Sequence, residues 1–216
     1  MRMNREEFAG LVLDACRRME DRGMTVGTWG NISVRVNGES FLITPSGMSY
    51  GSLKIDDIVM ADMKGNIIDS KRKPSIEHAL HRMIYSHRLD VGAVIHTHPQ
   101  YSTAFAIARK DIPAVSEELV QIIGEGVKCA EYALPGTEKL AANVVSALGS
   151  NNAALLANHG AVCVGSSLTD AFKVAEVLEK SAKTIIMATI IGTPRAISHD
   201  ECLKMQDFVK YHYGQK

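Results

Sequence analysis

The stretch VGAVIHTHP, residues 91–99, joins an apolar run to two histidines and a proline. The run over 91–97 predicts a buried β-strand that Pro99 ends. Side chains alternate between the two faces of a strand, so His96 and His98 project from the same face. Two imidazoles at this spacing can share one metal ion. On the spacing alone, two polar residues on a solvated face are an equally good interpretation.

Other helices and strands are predicted on both sides of this strand. Upstream, alternating apolar residues after Asn31 and the dipeptide Asn37-Gly38 predict antiparallel hairpins. Downstream, apolar runs at helical spacing alternate with a further strand over 153–158. The predicted helices cover residues 4–23, 74–88, 102–109, 117–123, 137–148, 169–191 and 198–211. We therefore expect one α/β domain over residues 1–216, with a mostly antiparallel sheet covered by helices.

The composition excludes several classes of protein. The chain has 216 residues, 24 Lys+Arg against 24 Asp+Glu, and 46% hydrophobic residues. A net charge of zero without a long basic run gives no general attraction to nucleic acid or to an anionic membrane. The chain lacks an apolar run of about 18 residues, its N-terminus is charged, and its four cysteines are scattered. We therefore expect a cytoplasmic protein with reduced thiols.

Two further residues strengthen the metal interpretation. His159 ends the strand over 153–158, where it can supply a third imidazole, although an ordinary turn residue is an equally good interpretation. Three histidines with an open fourth position are typical of a catalytic zinc site. Glu77 falls in the first turn of the helix predicted over 74–88. Such a residue commonly compensates the helix dipole, and the alternative is a metal ligand or an acid/base group.

The start of the same helix also suits a phosphate group. The Ser75 hydroxyl and the free N–H groups of the first turn can bind an anion. The loops at Gly30-Asn31 and Ser46-Gly47 can add further donors, although each alone is as well explained by ordinary turn chemistry. Three more histidines on this helix are interpreted as structural or exposed: His78, His81 and His87.

Six short motifs connect the chain to a known family. They occur in the family's order across nearly the whole chain, and together they are far more specific than any one of them. On these motifs the chain resembles the class II (zinc-dependent) sugar-phosphate aldolases, the fuculose-phosphate aldolase and ribulose-phosphate epimerase group. The motifs are GTWGNIS at 27–33, ITPSG at 43–47, PSIE at 74–77, HTHP at 96–99, PGT at 135–137 and NHG at 158–160.

The resemblance implies an α/β/α fold around a sheet of about nine mostly antiparallel strands, assembled as a homotetramer with sites near subunit interfaces. It implies one Zn²⁺ per subunit, with Mn²⁺ or Co²⁺ as alternatives, and makes Glu77 the acid/base residue and a further metal ligand. The metal ligands implied are His96, His98 and His159. The phosphate pocket implied is Asn31, Ser46, Gly47 and Ser75.

The chain departs from the family pattern at two positions. Where the aldolases have a second serine before the glutamate, this chain has Ile76, which removes one phosphate contact. Where they have a catalytic tyrosine, this chain has Glu117, which becomes a candidate acid/base residue. The resemblance also implies a tail tyrosine from a neighbouring subunit, at Tyr211 or Tyr213. Glu77 itself argues against the epimerase branch, which has aspartate at that position.

The predicted activity is that of a lyase of carbohydrate metabolism. It cleaves a ketose 1-phosphate, similar to fuculose 1-phosphate or 5-deoxyribulose 1-phosphate, reversibly to dihydroxyacetone phosphate and an aldehyde. A dehydratase resembling those of methylthioribulose 1-phosphate is an alternative, with Glu117 as its acid/base residue. A zinc hydrolase and a non-catalytic relative of the adducin head are further alternatives. The phosphate-binding loops argue against the hydrolase, and the metal ligands argue against the adducin-like protein.

Overall fold

The computed structural model describes residues 3–212, whose helices follow the order predicted from the sequence. The strands are β1 Asn31–Arg35, β2 Ser40–Ile43, β3 Val59–Asp62, β4 Ile67–Asp69, β5 Ala93–Thr97, β6 Cys129–Ala130, β7 Ala153–Leu156 and β8 Gly160–Gly165. The helices are α1 Arg5–Asp21, α2 His78–His87, α3 Gln100–Ala108, α4 Glu117–Ile122, α5 Glu138–Leu148, α6 Leu168–Ile191 and α7 His199–Tyr211. None of these helices is long and apolar enough to cross a membrane.

The eight strands form one sheet in the order β4-β3-β2-β1-β5-β8-β7-β6. Neighbouring strands run antiparallel except β6 and β7, which are parallel. The mostly antiparallel α/β fold is therefore confirmed, although the sheet has eight strands within residues 3–212 instead of about nine. The two-residue strand β6 was not predicted, because two residues are too few to show an alternating pattern.

Apolar side chains from the two faces of the sheet form separate cores. Ile95 belongs to one core with Phe172 of α6, whereas the adjacent Val94 belongs to the other with Ile84 of α2. This division follows from the alternation of side chains along a strand. Helices α1, α3 and α6 cover the first face, and α2 and α5 cover the second. The result is the predicted α/β/α arrangement.

One predicted boundary differs in a way that affects the site. The helix predicted to begin at Pro74-Ser75 begins at His78, and Glu77 is its N-cap residue. The preceding segment is held extended, because Ser75 N–H donates to Thr44 O and a β-bridge joins Pro45 to Pro74. Glu77 therefore lies at the junction between this extended segment and α2.

Candidate metal centre and active site

Three histidines converge where β5 ends and β8 begins. The antiparallel register pairs Thr97 with Ala161, so His98 and His159 leave the sheet side by side. His96 Nε2 lies 2.9 Å from His98 Nε2 and 3.3 Å from His159 Nε2. The nitrogen atoms that could ligate a metal all lie within 4.8 Å of one another. Two ligands at the usual Zn–N distance in a tetrahedral site lie about 3.4 Å apart, so these separations fit a shared divalent cation.

The histidines are also in the protonation state that a metal requires. Burial lowers the pKa of His96 to about 4, that of His98 to about 3 and that of His159 to about 4. All three imidazoles are therefore neutral at pH 7, and a neutral imidazole is the form that ligates metals. His96 Nδ1 donates to Ala161 O at 2.9 Å, which leaves the Nε2 lone pair directed at the other two rings. The donor set therefore fits a metal ion.

The Glu77 carboxylate lies against the histidines. Its Oε2 is 3.2 Å from His96 Nε2, and its Oε1 is 3.9 Å from His159 Nε2. Oε2 also accepts a hydrogen bond from Asn31 Nδ2 at 2.9 Å. Oε1 is buried and has no hydrogen-bond partner within residues 3–212. Leaving such an oxygen unsatisfied is costly, and a bound cation or substrate hydroxyl would satisfy it.

A cavity of about 460 Å³ opens beside this carboxylate. Trp29 also lines the cavity and stacks on His98 with 6.0 Å between ring centroids. The sequence predicts no role for Trp29, although this residue lies within the motif at 27–33. Ile76 lines the cavity as well, so an apolar side chain stands where the family pattern has a serine. The predicted residues that line the cavity are Asn31, Ser46, Gly47, Ser75, Glu77, His98 and His159.

Two of the predicted site residues do not reach this cavity within one chain. Glu117 begins α4 and lines a separate surface pocket together with residues of α7 and the segment before it. Tyr211 ends α7 and is half exposed. Tyr213 lies outside the described residues. A role for Glu117 or Tyr211 in the reaction therefore requires a second copy of the chain and stays a prediction.

Gly30 brings the loop before β1 against the histidine strand. Its φ is +78°, and a Cβ on it would lie 2.7 Å from His96 O. We expect Gly30→Ala to lower the free energy of unfolding by about 1–3 kcal/mol, because the new methyl group meets backbone in a left-handed conformation. Chemical denaturation followed by circular dichroism measures the change.

Gly27→Ala is the matched control for this variant. Gly27 has a similar φ of +67°, but among residues 3–212 no atom beyond its chain neighbours lies within 4 Å of where a Cβ would be. Gly27→Ala should therefore show only the conformational cost of a left-handed alanine, about 1 kcal/mol, at the low end of the range expected for Gly30→Ala. Equal destabilisation by the two substitutions would contradict the close approach to His96.

The fold brings three histidines that could hold a metal ion next to a buried carboxylate. Residues 11–186 match the family described as Class II Aldolase and Adducin N-terminal domain, and the chain belongs to this family. This match confirms the predicted family. The relatives described next confirm the prediction that the protein is an aldolase, which is a lyase.

Those relatives are similar to this chain over most of its length. The 5-deoxy-D-ribulose 1-phosphate aldolase of Bacillus thuringiensis serovar kurstaki is 37% identical over 204 residues, which cover 93% of each chain. The 5-methylthioribulose-1-phosphate/5-deoxyribulose-1-phosphate aldolase of Rhodospirillum rubrum is 37% identical over 190 residues, covering 88% of this chain and 85% of the relative. A solved structure of L-fuculose 1-phosphate aldolase has a TM-score of 0.91 and 34% identity, covering 94% of this chain and 96% of that one.

Proposed function

We propose that this protein cleaves a ketose 1-phosphate, reversibly, to dihydroxyacetone phosphate and an aldehyde. The observation that carries the proposal is the Glu77 carboxylate, 3.2 Å from His96 Nε2 at the wall of a cavity lined by the predicted phosphate-binding residues. The names of the relatives support substrates similar to 5-deoxyribulose 1-phosphate or fuculose 1-phosphate.

The residues that would hold the metal are His96, His98 and His159, with the Glu77 carboxylate available at the remaining position. The imidazole and carboxylate donors suit Zn²⁺ and would also accept Mn²⁺ or Co²⁺. When bound, the cation supplies Lewis-acid polarisation of the ketose carbonyl and electrostatic stabilisation of the negative charge that develops in the reaction.

Glu77 would transfer the proton of the reaction. Breaking the bond between C3 and C4 of the ketose turns the C4 hydroxyl into the aldehyde carbonyl, with its proton passing to the Glu77 carboxylate, and leaves the electron pair on C3 of the dihydroxyacetone phosphate half. The Glu77 carboxyl then delivers a proton to C3. In the direction of condensation, the Glu77 carboxylate removes the same proton. The buried carboxylate is held by Asn31 Nδ2 at 2.9 Å, so the proton-transfer atom has a defined place before substrate binds.

The phosphate group would bind between the loop at Ser46-Gly47 and the segment at Ser75. We expect Ser46→Ala to raise KM for the ketose phosphate by about tenfold or more, because it removes a hydrogen bond to a charged group, and to change kcat less. Initial rates over a range of substrate concentrations measure both constants. Ser49→Ala, an exposed serine in the same loop, is the control that should leave KM unchanged. Equal effects of the two variants would argue against the phosphate pocket.

The remaining features of the proposal concern the whole molecule. The chain 1–216 would act as one domain, in the cytoplasm, and as a homotetramer with sites near subunit interfaces. Such an assembly would allow Glu117 or Tyr211 of one subunit to approach the cavity of another. Sedimentation of the purified protein tests the assembly.

The activity is tested on purified protein loaded with Zn²⁺. We expect release of dihydroxyacetone phosphate from 5-deoxyribulose 1-phosphate or fuculose 1-phosphate. This release is measured by a coupled assay that oxidises NADH. Methylthioribulose 1-phosphate is assayed in parallel for loss of water. Water loss without release of dihydroxyacetone phosphate from any of the three would replace the aldolase by a dehydratase.

A further inference from the structure

A chain of buried hydrogen bonds leads to the Glu77 carboxylate from behind the cavity. Asn31 Nδ2 lies 2.9 Å from Glu77 Oε2, and Asn31 Oδ1 lies 2.5 Å from His81 Nε2. The Nδ1 atom of the same imidazole lies 2.6 Å from Ser33 Oγ, which lies 2.7 Å from Tyr85 OH. All five side chains are buried, and those of Ser33, His81 and Tyr85 are completely so. The sequence alone predicts only a structural or exposed histidine at position 81.

Two different periodicities bring these side chains together. Asn31 and Ser33 are two residues apart in β1 and therefore point to the same face of the sheet. Glu77 is the N-cap residue of α2, and His81 and Tyr85 follow it at intervals of four residues. The three side chains therefore lie along one face of the helix. Because this face packs on β1, the polar side chains of helix and strand alternate along one line.

The partners determine which atom donates each hydrogen bond. Burial lowers the pKa of His81 to about 3, so the imidazole is neutral and carries one N–H. The Glu77 carboxylate only accepts, so Asn31 presents Nδ2 to it and the carbonyl Oδ1 to the imidazole. A carbonyl also only accepts, so His81 Nε2 carries the proton and Nδ1 accepts from the Ser33 hydroxyl. The Tyr85 hydroxyl then donates to Ser33 Oγ, and each atom along this series of hydrogen bonds has a partner.

We propose that His81 is a positioning residue for the aldolase reaction: its Nε2–H holds the Asn31 amide in the orientation that presents Nδ2–H to Glu77. This inference rests on the proposed function, in which Glu77 transfers the proton. Rotating the amide by 180° would set Oδ1 against the carboxylate and Nδ2–H against Nε2–H. His81 is completely buried behind Asn31, so it acts on the reaction through Asn31.

Two substitutions at His81 separate this role from a structural one. His81→Leu removes the donor and is expected to lower kcat about 10–100-fold, as loss of an outer partner of a site residue does. Metal content should change little, because none of the hydrogen bonds that His81 makes within residues 3–212 goes to the metal ligands His96, His98 and His159. His81→Gln can place an N–H near the position of Nε2–H, and we expect it to restore most of kcat. Equal losses of kcat in both variants would contradict the proposal.

Tyr85→Phe is the matched control for the loss of a buried hydrogen bond. It removes the bond to Ser33 but leaves the donor on His81 Nε2 in place. We expect a lower thermal midpoint with an unchanged kcat. A fall in kcat as large as that of His81→Leu would show that the chain of hydrogen bonds acts only through stability.

A spectroscopic measurement decides the orientation directly. In the zinc-loaded protein with ¹⁵N-labelled histidine, the signals absent from His81→Gln belong to His81. We expect them to report a neutral ring protonated at Nε2, and protonation at Nδ1 would overturn the proposal. Wild-type kcat in a folded His81→Leu variant would also overturn it. An inactive wild-type protein would contradict the proposed function instead, and the ¹⁵N signals would still test the amide orientation.

Discussion

Glu77→Gln is expected to lower kcat by about 10²–10⁴-fold while the protein keeps its metal. The amide has almost the same shape as the carboxylate, but it can neither take nor deliver the proton of the reaction. The amide oxygen can still accept the hydrogen bond from Asn31 Nδ2, so the fold should not change. Release of dihydroxyacetone phosphate and the metal content of the same sample are the two measurements.

Glu39→Gln is the control for this experiment. Glu39 is exposed in the hairpin between β1 and β2, so its neutralisation changes the net charge equally without touching the cavity. We expect wild-type rates for this variant. Full activity of Glu77→Gln would eliminate Glu77 as the acid/base residue. Loss of metal from Glu77→Gln would instead make it mainly a ligand.

Removal of a histidine from the metal site should have an effect of similar size through a different cause. His98→Ala and His159→Ala are each expected to lose bound metal and about 10²–10³-fold or more in kcat, because Lewis-acid stabilisation is worth several kcal/mol. Both rings line the cavity, so their removal should leave the fold intact. His96 is less suitable for this substitution, because it is completely buried and its Nδ1 donates a hydrogen bond to Ala161 O.

The histidine experiment is checked by metal analysis and by chelation. His87→Ala removes an exposed imidazole at the end of α2 and should retain both metal and activity. A chelator should abolish the activity of the wild-type protein, and added Zn²⁺ should restore that activity. Added Zn²⁺ should not restore the activity of the His159→Ala variant. Metal-free variants with full kcat would refute the role of the metal in the reaction.

Much of the fold could be predicted because the signals are local. Asn4 with Glu7 and Ser198 with Glu201 each form a capping box within one helical turn, where the helices predicted over 4–23 and 198–211 begin. The alternating residues after Asn31 form β1 for the same reason. The start predicted for α2 is too early, because the observed start depends on the hydrogen bond that Ser75 N–H donates to Thr44 O. This hydrogen bond joins segments that are distant in the chain.

The candidate site likewise depends partly on local sequence signals and partly on contacts between distant segments. The sequence by itself determined which residue types are present and that His96 and His98 share a face of one strand. Only the tertiary structure decided that His159 joins them, because that contact follows from the antiparallel register of β5 and β8. It likewise decided that His81 lies behind Asn31, since a histidine on an apolar helix face carries no sign of what it will meet. Local periodicity assigns a side chain to a face, but packing selects the partner that this face receives.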